Sequence, residues 1–450
     1  MDATGNPTRP RMVLRGATVV TCDDDNQILT GDIVIRDGLI EQVVPSAPRL
    51  GGEESIDLTG LIVMPAFIQT HVHTCQTLWR NLADDMSLMT WLRHRTWPFE
   101  DAMTREMIRA SVRLSAAELL LSGTLTINDF GLLHDADAIP AAAAGTGLRG
   151  VWASILVDTL DPSSGLTPQE PEAAVRDAVE TAQAVRGLDS VAGYAMSPRF
   201  APSCSRELLT LVAQTSRQTG IPIHTHCSEN DEENDLSVAR FGMRPLALFD
   251  ELGILGPDTR LAHCVKVTDD EIALLAATET KVLHCPSTNM KLGSGIAPIP
   301  RMLQAGVQVS IGADGAPANN NLDMFVEMRA ASLIQKALHG PLAMPAWQVI
   351  RMATVNGAHA LGLDKQTGSL TPGRRADILV LNPRLPHSTG FDDPCKAIVY
   401  SMGRDNVLHL LSAGRFVVKD HRCVGLDSDE VCETAISAMD LLRRTARDYN

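Results

Sequence analysis

Four short islands hold the residues that could do chemistry: His71-Val-His73, His226-Cys-Ser-Glu229, His263 and Asp314. Imidazole nitrogens and a carboxylate suit Zn²⁺ or Fe²⁺, and three or four such ligands around an open position make a catalytic centre. Each island follows a stretch that reads as a buried β-strand. His71 and His73 are two residues apart, so in a strand both rings face the same way and can point at one ion. A single buried histidine is commonly just packing. An ordered set, each member after its own strand, reads as a site.

The elements that must position these islands alternate in type. Eight candidate strands run over Leu61–Thr70, Thr124–Phe130, Gly150–Leu156, Val191–Met196, Pro222–Thr225, Leu261–Val265, Lys281–His284 and Val307–Ile311. Amphipathic helical stretches lie between them, among them Arg105–Leu121, Pro171–Arg186, Ser205–Gln218 and Pro245–Leu252, and Pro345–Leu361 reads as a further helix. This α/β alternation predicts a (β/α)8 TIM-type barrel, with the polar islands at the strand C-termini where barrel sites are assembled. An open doubly wound sheet is the runner-up, but it would want a glycine fingerprint after its first strand, and none is there.

Both ends of the chain read as β. Ala17–Thr21 is an apolar strand, and Asp32–Arg36 and Leu39–Val43 flank the hairpin signal Asp37-Gly38. A β pattern returns at Ala376–Leu381 and Arg415–Val418. We expect a small β-sandwich domain formed by both termini (1–60 and 371–426), the barrel over 61–370, and a terminal helix over 427–450.

Composition narrows the partners. There are 39 basic and 54 acidic residues, a formal net charge of −15, which argues against nucleic-acid backbones and anionic membranes. The start, Met1 to Arg11, is polar and lacks an apolar signal core, and no apolar run approaches the ~18 residues of a membrane span. Nine scattered cysteines without framework spacing point to reduced thiols and a cytoplasmic protein. Cys75, Cys227, Cys264 and Cys285 lie beside the islands and read as packing groups.

The islands and their surroundings resemble the amidohydrolase superfamily, in the branch of guanine deaminases, methylthioadenosine/S-adenosylhomocysteine deaminases and triazine hydrolases. The resemblance is carried by Pro65–His73, His224–Glu229, Ala262–Cys264, His284–Gly293, Gly312–Gly315 and Pro372–Ile378. It implies that His71, His73, His226 and Asp314 hold one divalent ion, zinc first and iron second. It implies that Glu229 is the proton shuttle and that His263 hydrogen-bonds the attacking water or the tetrahedral intermediate. Asp314 would also take the water's proton. His224, on the same strand face as His226, reads as a supporting group rather than a ligand. Binuclear relatives carry a bridging lysine on an early or middle strand. The first lysine here is Lys266, past the sixth strand, which leaves a mononuclear centre.

Substrate signals conflict. Gln76 and Arg199-Phe200 resemble the guanine deaminases, where such groups contact the purine. An arginine fork can donate two hydrogen bonds to a carbonyl and a ring nitrogen, and Phe200 offers a stacking face. Arg80–Asp85, Met89–Leu92, Trp97–Glu100, Ile296–Ile299 and Ala318–Leu322 instead resemble the nucleoside and triazine types. Trp79, Trp91 and Trp97 are candidate pocket walls, with Trp91 the one assigned to substrate. Giving Arg199 the greater weight, the expected reaction is hydrolytic deamination of guanine, 8-oxoguanine or a pterin-like ring, with ammonia released. The alternatives are an adenosine-type deaminase or a triazine aminohydrolase or chlorohydrolase. The expected partner is a small heterocyclic substrate, and the chain is expected to form a homo-oligomer, a dimer or tetramer.

Overall fold

The computed structural model describes residues 11–159 and 167–446. The polar stretch read above as lacking a signal core lies, up to Pro10, outside the described residues.

Eight parallel strands form the centre: β1 (Phe67–His73), β2 (Thr124–Asp129), β3 (Arg149–Leu156), β4 (Val191–Pro198), β5 (Ile223–Cys227), β6 (Thr259–His263), β7 (Lys281–His284) and β8 (Val309–Ile311). They neighbour one another in sequence order. Just past β8, Asp314 and Gly315 pair in parallel with Val72 and His73 of β1, which closes the sheet on itself. Thr70 adds a bond across the same join, its Oγ1 2.9 Å from Ser310 Oγ. All seven residues of β1 are buried, as expected for a strand covered on both faces. The TIM-type barrel read from the sequence is therefore present.

Several of the outer helices start where side chains cap them. Thr104 accepts from Met107 N at the head of Arg105–Leu121, and Ser205 accepts from Leu208 N before Arg206–Thr219. Each bond satisfies a backbone donor that the first turn leaves without a partner. The single helix expected over Pro345–Leu361 is two, Ala346–Met352 and Val355–Ala360, because Thr354 between them leaves helical geometry at φ −133° and ψ −97°. The second piece plugs the lower, N-terminal end of the barrel. Its Ala358 packs with Ile68, Val151, Ala153 and Ala195.

The chain ends build a second, nine-stranded sheet, with strands from Met12–Pro65 and from Ile378–Cys423 side by side. The expected sandwich is one continuous hydrogen-bonded sheet that curls around its own apolar cluster, including Leu14, Ile33, Val63, Ile378 and Leu411. Asp37 and Gly38 turn the hairpin of Ile28–Arg36 with Leu39–Val44 at φ 52° and 82°, the paired positive values of a type I′ turn. Leu61–Thr70, read as one strand, is two. Ile62–Pro65 joins the terminal sheet, and Phe67–His73 starts the barrel. Ala66 N still donates to Asp377 O beside the terminal sheet, and Phe67 N turns to Gly123 O, where the barrel strand begins. The terminal helix runs over Ser428–Thr445, capped by Asp427. All nine cysteines are unpaired, and among the described residues no helix is long and apolar enough to cross a membrane.

Candidate metal centre

The four islands meet at the C-terminal mouth of the barrel. His71 and His73 end β1, His226 lies near the end of β5, His263 closes β6, and Asp314 follows β8. Asp314 Oδ1 is 3.4 Å from His71 Nε2 and 3.2 Å from His73 Nε2. Ligand nitrogens of His71, His226 and His263 lie within 4.8 Å of one another. His71 Nε2 is buried and makes no hydrogen bond, a polar atom that a cation would satisfy. Three imidazoles and a carboxylate fit a divalent ion of the zinc class. His263 is close enough to be a further donor, and its Nε2 also lies 3.6 Å from Glu229 Oε2 and 3.9 Å from Asp314 Oδ2.

Backbone geometry is bent to bring these groups together. His263, Asp314 and Ser228 adopt φ of 73°, 67° and 49°. Left-handed backbone at such residues costs about 1–3 kcal/mol each and persists only where the surroundings impose it. Gly312 is part of that imposition. A Cβ there would lie 2.5 Å from His71 N, so only glycine lets the segment leading to Asp314 pass β1.

A second layer of hydrogen bonds holds these side chains. His226 Nδ1 is 2.6 Å from Arg199 O, and His263 Nδ1 is 2.9 Å from Asn289 Oδ1. His224 Nε2 is 2.8 Å from His71 Nδ1, so His224 supports a ligand rather than pointing at the ion position. Asp129 accepts from Thr74 N and Thr74 Oγ1, which fixes the chain just past His73. Glu233 accepts from the backbone N–H of Ser228 and of Glu229, which fixes the turn that carries Glu229. Asn289, Glu100 and Glu233 escaped the sequence reading. Asn289 and Glu100 lie inside quoted motifs, where position alone could have flagged them.

Burial and charge tune the titrating groups. Burial raises the Asp314 carboxyl, but the nearby His71 and His73 outweigh it and hold it well below the usual carboxylate range. Burial lowers His71 to about 4 and His226 well below its ordinary value, so both stay neutral and able to ligate. Burial raises Glu229 more than His263 lowers it, leaving a carboxyl that keeps its proton to higher pH than usual. Burial lowers His263, but Glu229 and Asp314 raise it further, so its net shift is upward.

The mouth above these groups is a cavity of about 30 Å³, walled by Leu88, Trp91, Leu92, Phe200 and Leu292. Arg199 reaches it as expected, but not as a free fork. Its NH1 and NH2 donate to Glu100 Oε2 and Oε1 at 2.6 and 3.2 Å, and both side chains are buried. Gln76 does not line the cavity. Its Nε2 donates to Glu100 Oε1 at 2.9 Å and lies 3.3 Å from His73 Nδ1. The pair expected to read an oxo-purine edge is thus turned onto a carboxylate. Of the tryptophans, Trp91 forms wall, Trp79 stacks on Phe99, and Trp97 packs in the cluster behind Trp91.

The profile described as the amidohydrolase family matches residues 62–417. The 5'-deoxyadenosine deaminase of Methanothermobacter thermautotrophicus is 38% identical, covering 92% of this chain and 95% of its own. The 5-methylthioadenosine/S-adenosylhomocysteine deaminase of Syntrophobacter fumaroxidans is 36% identical over 95% of this chain and 97% of its own. Among solved structures, an adenosine deaminase from Xanthomonas campestris with bound zinc superposes with a TM-score of 0.91 at 28% identity, covering 98% of this chain and 100% of that one.

Proposed function

Because the chain belongs to the amidohydrolase family and is a hydrolase of C–N bonds other than peptide bonds, we propose that it deaminates adenosine-type nucleosides. Water replaces the 6-amino group of the purine, and ammonia leaves. The observation that carries this reading is the Arg199–Glu100 pair. The fork of this guanidinium is turned onto a buried carboxylate and is not presented to a ring carbonyl, whereas an adenine ring offers none to be read. The names of the relatives point the same way. The expected guanine- or pterin-like substrate gives way to the adenosine-type alternative.

His71, His73, His226 and Asp314 are assigned to one divalent ion, with zinc as the metal, in keeping with the Xanthomonas structure. Such an ion supplies Lewis acidity that makes water nucleophilic near neutral pH. The remaining steps belong to the protein. Asp314 accepts the proton that the attacking water gives up. Glu229, kept protonated by burial, donates to the ring nitrogen beside the amino-bearing carbon and makes that carbon electrophilic. The hydroxyl formed at that carbon gives its proton to Glu229 as it becomes the ring carbonyl, Glu229 passes that proton to the departing amine, and the proton held by Asp314 restores Glu229. His263, beside Glu229 and Asp314, donates to the oxygen as charge develops there. Trp91, Phe200 and the leucines hold the ring and keep bulk water out.

The test is an ammonia-release assay of the zinc-loaded protein against adenosine, 5'-deoxyadenosine, methylthioadenosine, guanine, 8-oxoguanine, a pterin and an aminotriazine. An adenosine-type substrate should have the highest kcat/KM by at least about tenfold, one pocket contact's worth of discrimination. Any oxo-substituted ring turning over faster overturns the proposal.

A further inference from the structure

A second cleft lies between the barrel and the terminal sheet, at the N-terminal ends of the barrel strands and so away from the metal centre. Its volume is about 510 Å³, within the range of about 300–1,000 Å³ typical of small-molecule sites. Three arginines line it, each from a different segment. Arg149 opens β3, Arg375 precedes the strand Ile378–Leu381, and Arg415 opens the strand Arg415–Lys419. Asp189 is the one carboxylate in the lining, and its Oδ1 accepts from Gly145 N at 3.4 Å. In a chain of net charge −15 this is a local excess of positive charge.

The protein leaves that charge partly unmet. Asp377, buried beside the cleft, accepts from Arg375 Nε at 3.2 Å through Oδ2 and from Ala413 N at 2.9 Å through Oδ1. Arg149 NH1 lies 3.9 Å from the same Oδ2, beyond hydrogen-bond reach. That nitrogen is buried and has no hydrogen-bond partner among the described residues. Leaving a buried, charged donor without an acceptor is costly. Burial lowers the Arg149 pKa, and the charge of Arg375 lowers it further against the pull of Asp377. Arg415 is exposed at the edge of the cleft.

An anion with several oxygens supplies what is missing. Guanidinium forks match the oxygens of a phosphate group, which carries nearly two charges at pH 7. A carboxylate brings one charge and two oxygens, too few for three arginines on three segments. We propose that this cleft binds a phosphate group, held by Arg149, Arg375 and Arg415 and bridging the barrel and the terminal sheet. The proposal does not depend on the deaminase reading.

The test is isothermal titration calorimetry of the full-length protein in phosphate-free buffer. Inorganic phosphate and ribose 5-phosphate are the probes, and acetate is the control. Phosphate should bind saturably, and acetate at least about tenfold more weakly. Arg149→Gln and Arg415→Gln should each weaken phosphate binding by about 10–100-fold, the worth of a charge-assisted hydrogen bond. Arg415→Gln decides the matter if Arg149→Gln does not fold. Ribose 5-phosphate binding more tightly than phosphate identifies a phosphorylated metabolite as the ligand, and weaker or equal binding identifies the free anion. The proposal is overturned if neither probe binds, or if acetate binds as well as phosphate. It is also overturned if Arg415→Gln binds phosphate within threefold of the unmutated protein, or if chelator treatment abolishes binding, which would place the anion at the metal centre.

Discussion

Arg199 and Glu100 form a buried, two-pronged ion pair at the rim of the metal centre, with contacts of 2.6 and 3.2 Å. Removing one partner of a buried pair strands the other charge, which costs about 3–5 kcal/mol. Arg199→Met and Glu100→Gln should therefore each lower stability by that order, and the double variant should lose much less than their sum. Urea unfolding of the three proteins reads the coupling. Additive losses would mean that the two side chains do not depend on each other.

Glu229 is the group assigned to move protons. Glu229→Gln keeps its shape and removes the shuttle, so kcat should fall by about 10²–10⁴ with the bound metal retained. Turnover and metal content measured on one preparation decide it. Activity within a few-fold of the unmutated protein would move the proton-transfer role to another residue.

One ion per chain is expected from the donor set, and Lys266, paired with Asp231, stands outside it. His73→Ala should lose the ion while circular dichroism stays that of a folded barrel. Metal analysis returning two stoichiometric ions in active protein, or a full complement in His73→Ala, contradicts the ligand set.

His284 is a buried histidine whose pKa burial lowers from 6.5 to about 3. Because the folded value lies below the unfolded one, the unfolded chain takes up the proton first as pH falls. The stability His284 contributes is complete above about pH 6.5 and is lost progressively toward pH 3, at about 1.4 kcal/mol per unit. Between pH 6.5 and 5 the unmutated protein should lose about 2 kcal/mol more than His284→Asn. Urea unfolding at the two pH values measures the difference, and parallel losses would contradict it.

The cavity of about 30 Å³ holds one water, whereas small-molecule sites occupy about 300 Å³ or more. The wall carrying Leu88, Trp91 and Leu92 includes a π-helix over Leu92–Thr96, a local widening common at functional sites. This wall should open for a nucleoside and close over it. Hydrogen exchange across residues 86–97 should slow when a non-hydrolysable adenosine analogue binds. No change in those amides would place the gate elsewhere.

The groups that meet at the barrel mouth were legible in the sequence because barrel chemistry is written at strand ends. His71-x-His73, His226, His263 and Asp314 each follow an apolar run whose period marks a strand. The partnership of Arg199 with Glu100 was not legible, since it joins a strand end to the distant short helix Trp97–Asp101 and leaves no local pattern. The same holds for Arg149, Arg375 and Arg415, which three separate segments bring to one cleft. Leu61–Thr70 misled because its apolarity is continuous while its hydrogen-bond partners change from one sheet to the other between Ala66 and Phe67. The break at Thr354 shows only in backbone angles.

The pairing of Asp314 and Gly315 with Val72 and His73 has a consequence for synthesis. His71 and His73 leave the ribosome early and Asp314 late, with almost the whole barrel between them. Contacts between such distant segments form late in folding, after the intervening chain has been ordered. A nascent or truncated chain ending before Asp314 holds histidines but no complete site. Ion capture then reports a finished barrel, and a bound ion resists the reopening of the last join to form.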